Sequence, residues 1–137
     1  MSVVPPPVPP PAPRTDDDVP AFWEALGIPG LIDLHVHFMP EPVMRKVWAY
    51  FDGWRTPDGS RWPVTYRGDD AARPARLRAI GVRAFPALVY AHKPGMAQWL
   101  NDWAADFAGA TPDCLQTFTF YPEPGVDAYV ARALEAG

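Results

Sequence analysis

The segment LIDLHVHF, residues 31–38, decides the fold. Apolar and polar side chains alternate strictly along it, and this alternation is typical of a β-strand, because successive side chains of a strand point to opposite faces. One face carries Ile32, Leu34, Val36 and Phe38, and the other face carries Asp33, His35 and His37. We therefore predict a strand that presents two histidines side by side on one face.

Strand and helix patterns alternate through the rest of the chain. The apolar spacing predicts helices at residues 21–26, 43–51, 74–80, 96–111 and 126–136, and further strands at residues 82–90 and 115–121. Pro86 lies inside the second strand, and because proline lacks an amide donor it indicates an edge strand or a bulge. The residues predicted to be buried on the last two helices are Met96, Trp99, Leu100, Trp103, Phe107, Tyr129, Val130, Ala133 and Leu134.

Three strand–helix cycles in a row indicate βαβ units and a parallel sheet, so the fold class is α/β. A (β/α)8 TIM barrel needs roughly 250 residues. Only about 117 residues (137 minus 20) follow the proline-rich start of this chain. We therefore predict that residues 21–137 are the first three βα units of an incomplete barrel. A small three-stranded α/β unit is the alternative.

Residues 1–20 form a proline-rich leader that holds eight of the nineteen prolines. Such a composition favours solvated polyproline II and offers little apolar surface to offset the entropy of ordering. We predict that this leader is disordered. A ligand for a PxxP-binding partner is the alternative interpretation of the same residues.

Composition narrows the classes of partner. The net charge of −4 gives no long-range attraction to nucleic acid or to an anionic membrane. No apolar run reaches the roughly 18 residues that cross a bilayer. Cys114 is the single cysteine and cannot form an internal disulfide, which favours a reducing, cytoplasmic location. We expect a small-molecule substrate, no nucleic acid and no membrane.

His35 and His37 are candidate metal ligands. Residues two apart on a strand point the same way, so both imidazoles can reach one divalent ion at about 2.0–2.1 Å. Imidazole suits Zn²⁺ among the divalent ions, although a working site needs further ligands and an open position. His92 and Glu123 follow the second and third strands and are candidate substrate-binding residues, with ordinary loop roles as the alternative.

Residues 30–40 resemble the first strand of the amidohydrolase superfamily. The order of the later segments 81–90, 100–112 and 115–121 is similar to the branch that contains aminocarboxymuconate-semialdehyde decarboxylase and related hydrolases. The resemblance implies one divalent ion, usually zinc, bound by His35 and His37, by a histidine of a later strand and by an aspartate of the last strand. It also implies hydrolysis by a metal-activated water, or decarboxylation of a small carboxylic acid, with the catalytic residues expected beyond residue 137.

Two other functions fit the same residues. The PHP-type phosphoesterases that the segment also resembles are barrels that open with a D-x-H-x-H strand, and they need further histidines and a trinuclear metal cluster downstream. A catalytically inactive remnant that acts only in binding is the other alternative. Three βα units leave two unpaired sheet edges, so we also expect this chain to form homo-oligomers or to be poorly soluble when made alone.

Overall fold

Three short parallel strands form an open sheet in the computed structural model, which describes residues 10–136. The strands are β1 (Leu31–Ile32), β2 (Val82–Pro86) and β3 (Cys114–Leu115), in the spatial order β1-β2-β3. Both pairings are parallel. The predicted α/β class and the parallel sheet are therefore confirmed, with β2 as the central strand.

Within residues 10–136, five helices and one 3-10 turn accompany the sheet. They are the turn Asp16–Asp18, α1 (Val19–Ala25), α2 (Glu41–Gly53), α3 (Ala72–Ala79), α4 (Ala97–Ala110) and α5 (Val126–Ala136). All five predicted helices are present. The sequence pattern had α2 begin after Pro42, whereas Pro42 lies in its first turn. A proline is accepted there because the first amides of a helix have no intrahelical acceptor.

The regular strands are shorter than predicted, and Pro86 gives one physical reason. Of the two alternatives that Pro86 indicated, an edge strand or a bulge, the edge strand does not hold, because Pro86 lies in the central strand. The amides of Phe85 and Ala87 donate to β3, whereas the amide of Leu88 donates to Val36 on the β1 side. By this alternation Pro86 faces the β1 side, where it has no hydrogen to donate. The ladder is interrupted there and resumes as a single parallel bridge between His37 and Leu88.

The core consists of two adjoining clusters. The first lies between α2, the segment after β2, and α4, and its buried members are Met39, Met44, Val89, Met96, Leu100 and Ala104. The second lies between the sheet, α3 and α4, and its buried members are Phe38, Val82, Phe85, Ala87 and Phe107. Trp103 packs against both clusters, so α4 joins the two halves of the core.

Some apolar residues that the patterns placed on buried faces are exposed instead. Trp99 of α4 is 49% exposed and Leu134 of α5 is 66% exposed, so both predictions of burial are wrong. On the first strand segment Ile32 is 64% and Leu34 is 76% exposed, although Phe38 on the same face is fully buried. Among residues 10–136 no second strand pairs with the outer edge of β1, since β1 pairs only with β2.

The predicted disordered leader lies partly outside the described residues, which begin at Pro10. Its last five residues instead belong to ordered structure, because the 3-10 turn at Asp16–Asp18 leads directly into α1. The Asp16 carboxylate accepts hydrogen bonds from Arg76 of α3 at 2.8 Å and from the Tyr66 hydroxyl at 2.8 Å. These contacts attach the turn to the body of the protein. In the described chain, no helix combines the length and apolarity needed to cross a membrane.

Candidate functional site

The candidate site lies just beyond β1, where the backbone leaves the regular ladder. The amide of Asp33 still donates to Ala84 of β2 at 3.1 Å. The amide of His35 donates to the Oδ1 atom of Asp33 at 2.9 Å instead of to the sheet. Pairing with the β2 side returns at His37, opposite Leu88. The His35 amide is thus bonded to a side chain and not to β2. On either side of it the backbone pairs with β2 and its extension, at Asp33 and at His37.

The structure brings the two predicted metal ligands together. The Nε2 atoms of His35 and His37 lie 3.2 Å apart, and their rings meet edge to face with centroids 5.0 Å apart. The Nδ1 atom of His37 lies 3.2 Å from the carbonyl oxygen of Leu88. Because a carbonyl only accepts, Nδ1 of His37 carries the proton in this contact, and Nε2 of the neutral ring is left with a lone pair.

The surroundings of His37 favour the neutral imidazole. Burial lowers the pKa of His37 from its usual 6.5, and the nearby charges of His35 and Arg73 lower it further, while the hydrogen bond to Leu88 opposes them. A neutral imidazole is the form that binds metal ions. Of the two histidines, His37 is the half-buried one and His35 is exposed to solvent.

Arg73 of α3 holds the backbone at the site, and no feature of the sequence had pointed to it. Its guanidinium donates to the carbonyl oxygen of His37 and lies 4.2 Å from the centroid of the Phe38 ring. Phe38 in turn stacks on Phe107 at 4.8 Å, and Phe107 stacks on Trp103 at 5.0 Å. The position of His37 is therefore coupled, through Arg73 and Phe38, to the aromatic core beneath the sheet.

A cavity of about 740 Å³, here called the inner cavity, opens in front of the histidine pair. Its wall includes His35, His37, Arg73, Trp48 and Tyr90. The Tyr90 ring lies 6.2 Å from the His37 ring in an edge-to-face arrangement. The volume falls within the range of small-molecule pockets, roughly 300–1,000 Å³. The site therefore combines two nitrogen donors with room for a small organic molecule.

The other two predicted site residues lie elsewhere. His92 is exposed in the loop after β2 and lines a second cavity, not the inner cavity. Glu123 lines neither cavity. Its carboxylate accepts a hydrogen bond from the Gly95 amide at 2.7 Å and lies 3.4 Å from the Tyr129 hydroxyl. In this arrangement Glu123 links the loop before α4 to α5. The structure does not bring either residue to the histidine pair.

The described residues supply two ligands of the candidate metal site. Within residues 10–136, no group of three or more His, Cys, Asp or Glu side chains is arranged to hold a metal ion. Asp33 is close in sequence, but its Oδ1 atom is engaged by the His35 amide. The described residues therefore bring two imidazoles together without a third donor of these types.

Comparison of the chain with protein-family models, with curated proteins and with solved structures finds no match in any of the three.

Proposed function

We propose that this chain is the first part of an amidohydrolase-type (β/α)8 barrel and that His35 and His37 bind its divalent metal ion, Zn²⁺. The activity proposed for the intact barrel is hydrolysis of a small organic substrate or decarboxylation of a small carboxylic acid. We also propose that the protein works in the cytoplasm. Two observations support the proposal: the sequence resemblance of residues 30–40 and the short distance between the two imidazole rings.

The distance between the two Nε2 atoms carries the proposal. Two nitrogens that each lie about 2.0–2.1 Å from a tetrahedral ion are separated by roughly 3.3–3.4 Å. The observed separation of 3.2 Å is close to that value. With Nδ1 of His37 bound to the Leu88 carbonyl, a lone pair of His37 faces His35, and this contact needs a proton or a cation between the rings. The residues present thus fit a shared metal ion.

The second contacts of the pair resemble those of metal-binding histidines. Such a histidine usually donates its other ring N–H to a carbonyl or carboxylate, which fixes the tautomer and the ring orientation. The Leu88 carbonyl has this role for His37, and Arg73 holds the peptide that carries the ring. When bound, the ion would supply a water molecule of lowered pKa and an electrophile for a substrate carbonyl or carboxylate. The remaining ligands are proposed to come from the later strands that the resemblance implies.

Metal titration of the purified, metal-free protein tests the proposal. Zn²⁺ affinity is measured by competition with a chromophoric chelator, and the number of bound ions by elemental analysis. We expect one ion per chain or per assembly. His35→Ala and His37→Ala should each lower the affinity by more than the 10–100-fold that is typical of losing an outer partner.

The matched control is His92→Ala, which removes the third and last histidine of the chain and should leave Zn²⁺ affinity unchanged. Equal losses in all three variants would mean non-specific binding and would contradict the proposal. Two or three ions per chain would favour the phosphoesterase alternative. Failure of the unmodified protein to bind Zn²⁺, Mn²⁺ or Co²⁺ would leave the binding-only alternative.

A further inference from the structure

A second cavity, here called the outer groove, has a volume of about 610 Å³ and lies beside the inner cavity. It is bordered by α2, by the loop after β2 and by the start of α4. Tyr90 lines both cavities and lies between the histidine pair and His92, because its ring is 6.2 Å from that of His37 and 6.3 Å from that of His92. Neither His35 nor His37 lines the outer groove, so it is a separate place for a ligand.

Both lysines of the chain line the outer groove. The sequence contains ten arginines but only two lysines, Lys46 and Lys93, and they come from different elements, α2 and the loop before α4. Each of the ion pairs among the described residues uses an arginine, so neither lysine has a carboxylate partner there. No residue that lines this groove is an aspartate or glutamate. In a chain of net charge −4, the groove is therefore locally cationic.

The acidic side chain that contacts the backbone of this groove is already engaged. Gly95 lies at the groove, and its amide donates to Glu123 at 2.7 Å. The second carboxylate oxygen of Glu123 lies 3.4 Å from the Tyr129 hydroxyl. Glu123 is not among the residues that line the groove. The two ammonium groups consequently remain available to an anion that enters from solvent.

Three exposed aromatic side chains also line the groove. Tyr50 lies one helical turn after Lys46 on the same face of α2, and Trp99 faces the groove from the first turn of α4. Tyr50, Tyr90 and Trp99 are each about half exposed or more. Aromatic rings that are left open next to cations form a surface for a flat apolar body with a negative charge at its edge.

From these observations we propose that the outer groove binds a small aromatic anion, a planar ring system that carries one carboxylate. The ring lies among Tyr50, Tyr90 and Trp99, and the carboxylate meets Lys46 and Lys93. The outer groove does not include His35 or His37, so this proposal can be tested independently of the proposed function.

Calorimetric titration with two probes of the same shape tests whether binding needs the ligand's carboxylate as well as its aromatic ring. The probes are 2-naphthoate and its neutral isostere 2-naphthamide. We expect 2-naphthoate to bind about tenfold more tightly than the amide, because only the carboxylate forms ion pairs with the two exposed lysines. The Lys46→Met/Lys93→Met variant should lose this difference. Trp99→Ala should weaken both probes.

Two matched controls make the result specific. Arg83→Met/Arg132→Met removes the same amount of charge from exposed positions outside the groove and should keep the affinity of the unmodified protein. His35→Ala/His37→Ala should also keep it. If that histidine variant lost 2-naphthoate binding, the anion would lie at the metal pair and the outer-groove proposal would be overturned. Equal losses in the lysine and arginine variants would overturn it as well.

Amine labelling gives an independent readout, because the chain has only two lysine side chains. Acetylation followed by peptide mass spectrometry should show that 2-naphthoate, and not 2-naphthamide, slows modification of both Lys46 and Lys93. Labelling that 2-naphthoate leaves unchanged would contradict the proposal. Labelling that slows with protein concentration alone would show that a second copy of the chain covers the groove, which would also overturn it.

Discussion

The segments 31–38 and 82–89 are both rich in apolar residues, yet they have very different surroundings. In the second segment Val82, Phe85, Ala87 and Val89 are buried, because α3 and α4 pack on the central strand. In the first segment Ile32 and Leu34 are exposed, and only its end, at Phe38, is buried. An apolar side chain therefore contributes more to stability at the centre of this sheet than at its edge.

This difference bears on where the candidate site lies. The pairing between the two segments is interrupted on the side that Pro86 faces, and His35 lies within the unpaired stretch. His37 is held again by Leu88 and by Arg73. The central segment thus supplies rigidity, while the edge segment supplies accessible nitrogen donors. Four substitution experiments test this difference between the two segments and their surroundings.

The largest effect is expected at the centre of the sheet. Phe85 is fully buried and its ring lies 5.6 Å from that of Phe38, so Phe85→Ala should lower the free energy of unfolding by about 3–5 kcal/mol. Chemical denaturation monitored by circular dichroism measures this. The matched control is Phe120→Ala, a side chain that is 61% exposed, which should cost well under half as much. A loss below about 1 kcal/mol for Phe85→Ala would show that the central core is not packed as described.

The next effect concerns the link between the two segments. Arg73→Met keeps an apolar stem against Phe38 but removes the donor to the His37 carbonyl, so we expect Zn²⁺ affinity to fall about 10–100-fold. The proposed metal site is a premise of this experiment. Arg78→Met, on the same helix, removes the ion pair with Asp113 and should leave Zn²⁺ affinity unchanged. If both variants lose affinity in proportion to their loss of stability, Arg73 is merely structural.

A smaller, pH-dependent effect is expected at the N-terminal turn. Hydrogen bonds from Arg76 and then from Tyr66 lower the pKa of Asp16 from its usual 3.8. The folded state therefore binds this proton more weakly than the unfolded state, so the contribution to stability is present above pH 3.8 and is lost as the pH falls through the lower folded-state pKa. Asp16→Asn should be less stable than the unmodified protein at pH 7, and the two should converge in acid. A difference that stays constant with pH would rule out the ionised carboxylate as its cause.

The smallest effect is expected at the edge. Leu34 is 76% exposed, so Leu34→Ala should change the unfolding free energy by less than about 0.5 kcal/mol. The same substitution at the fully buried Leu100 should cost about 2–5 kcal/mol. A large cost at Leu34, together with a melting temperature that rises with protein concentration, would show that another copy covers this edge, as expected for a homo-oligomer.

Local sequence signals predicted the helices better than the strands. Helices α2, α4 and α5 lie within a few residues of their predicted bounds, because their hydrogen bonds are made within each segment. The predicted strand 115–121 is regular only at Cys114–Leu115, because a ladder also needs a neighbour in register. Burial was predicted less well, since Trp99 and Leu134 match helical periodicity and are nevertheless exposed. Periodicity identifies a face of a helix, but not whether another element covers it.

The sequence by itself determined the α/β class and the helices. It also predicted that His35 and His37 lie close together, although the regular strand from which this was predicted ends at Ile32. Only the tertiary structure decided that the two Nε2 atoms lie 3.2 Å apart and that Leu88 and Arg73 hold His37. It also decided that Glu123 links the loop before α4 to α5 and does not line a cavity. Only the tertiary structure, too, brought both lysines to one groove. These contacts join residues far apart in the chain, and their geometry follows from how the helices pack on the sheet, which no local pattern contains.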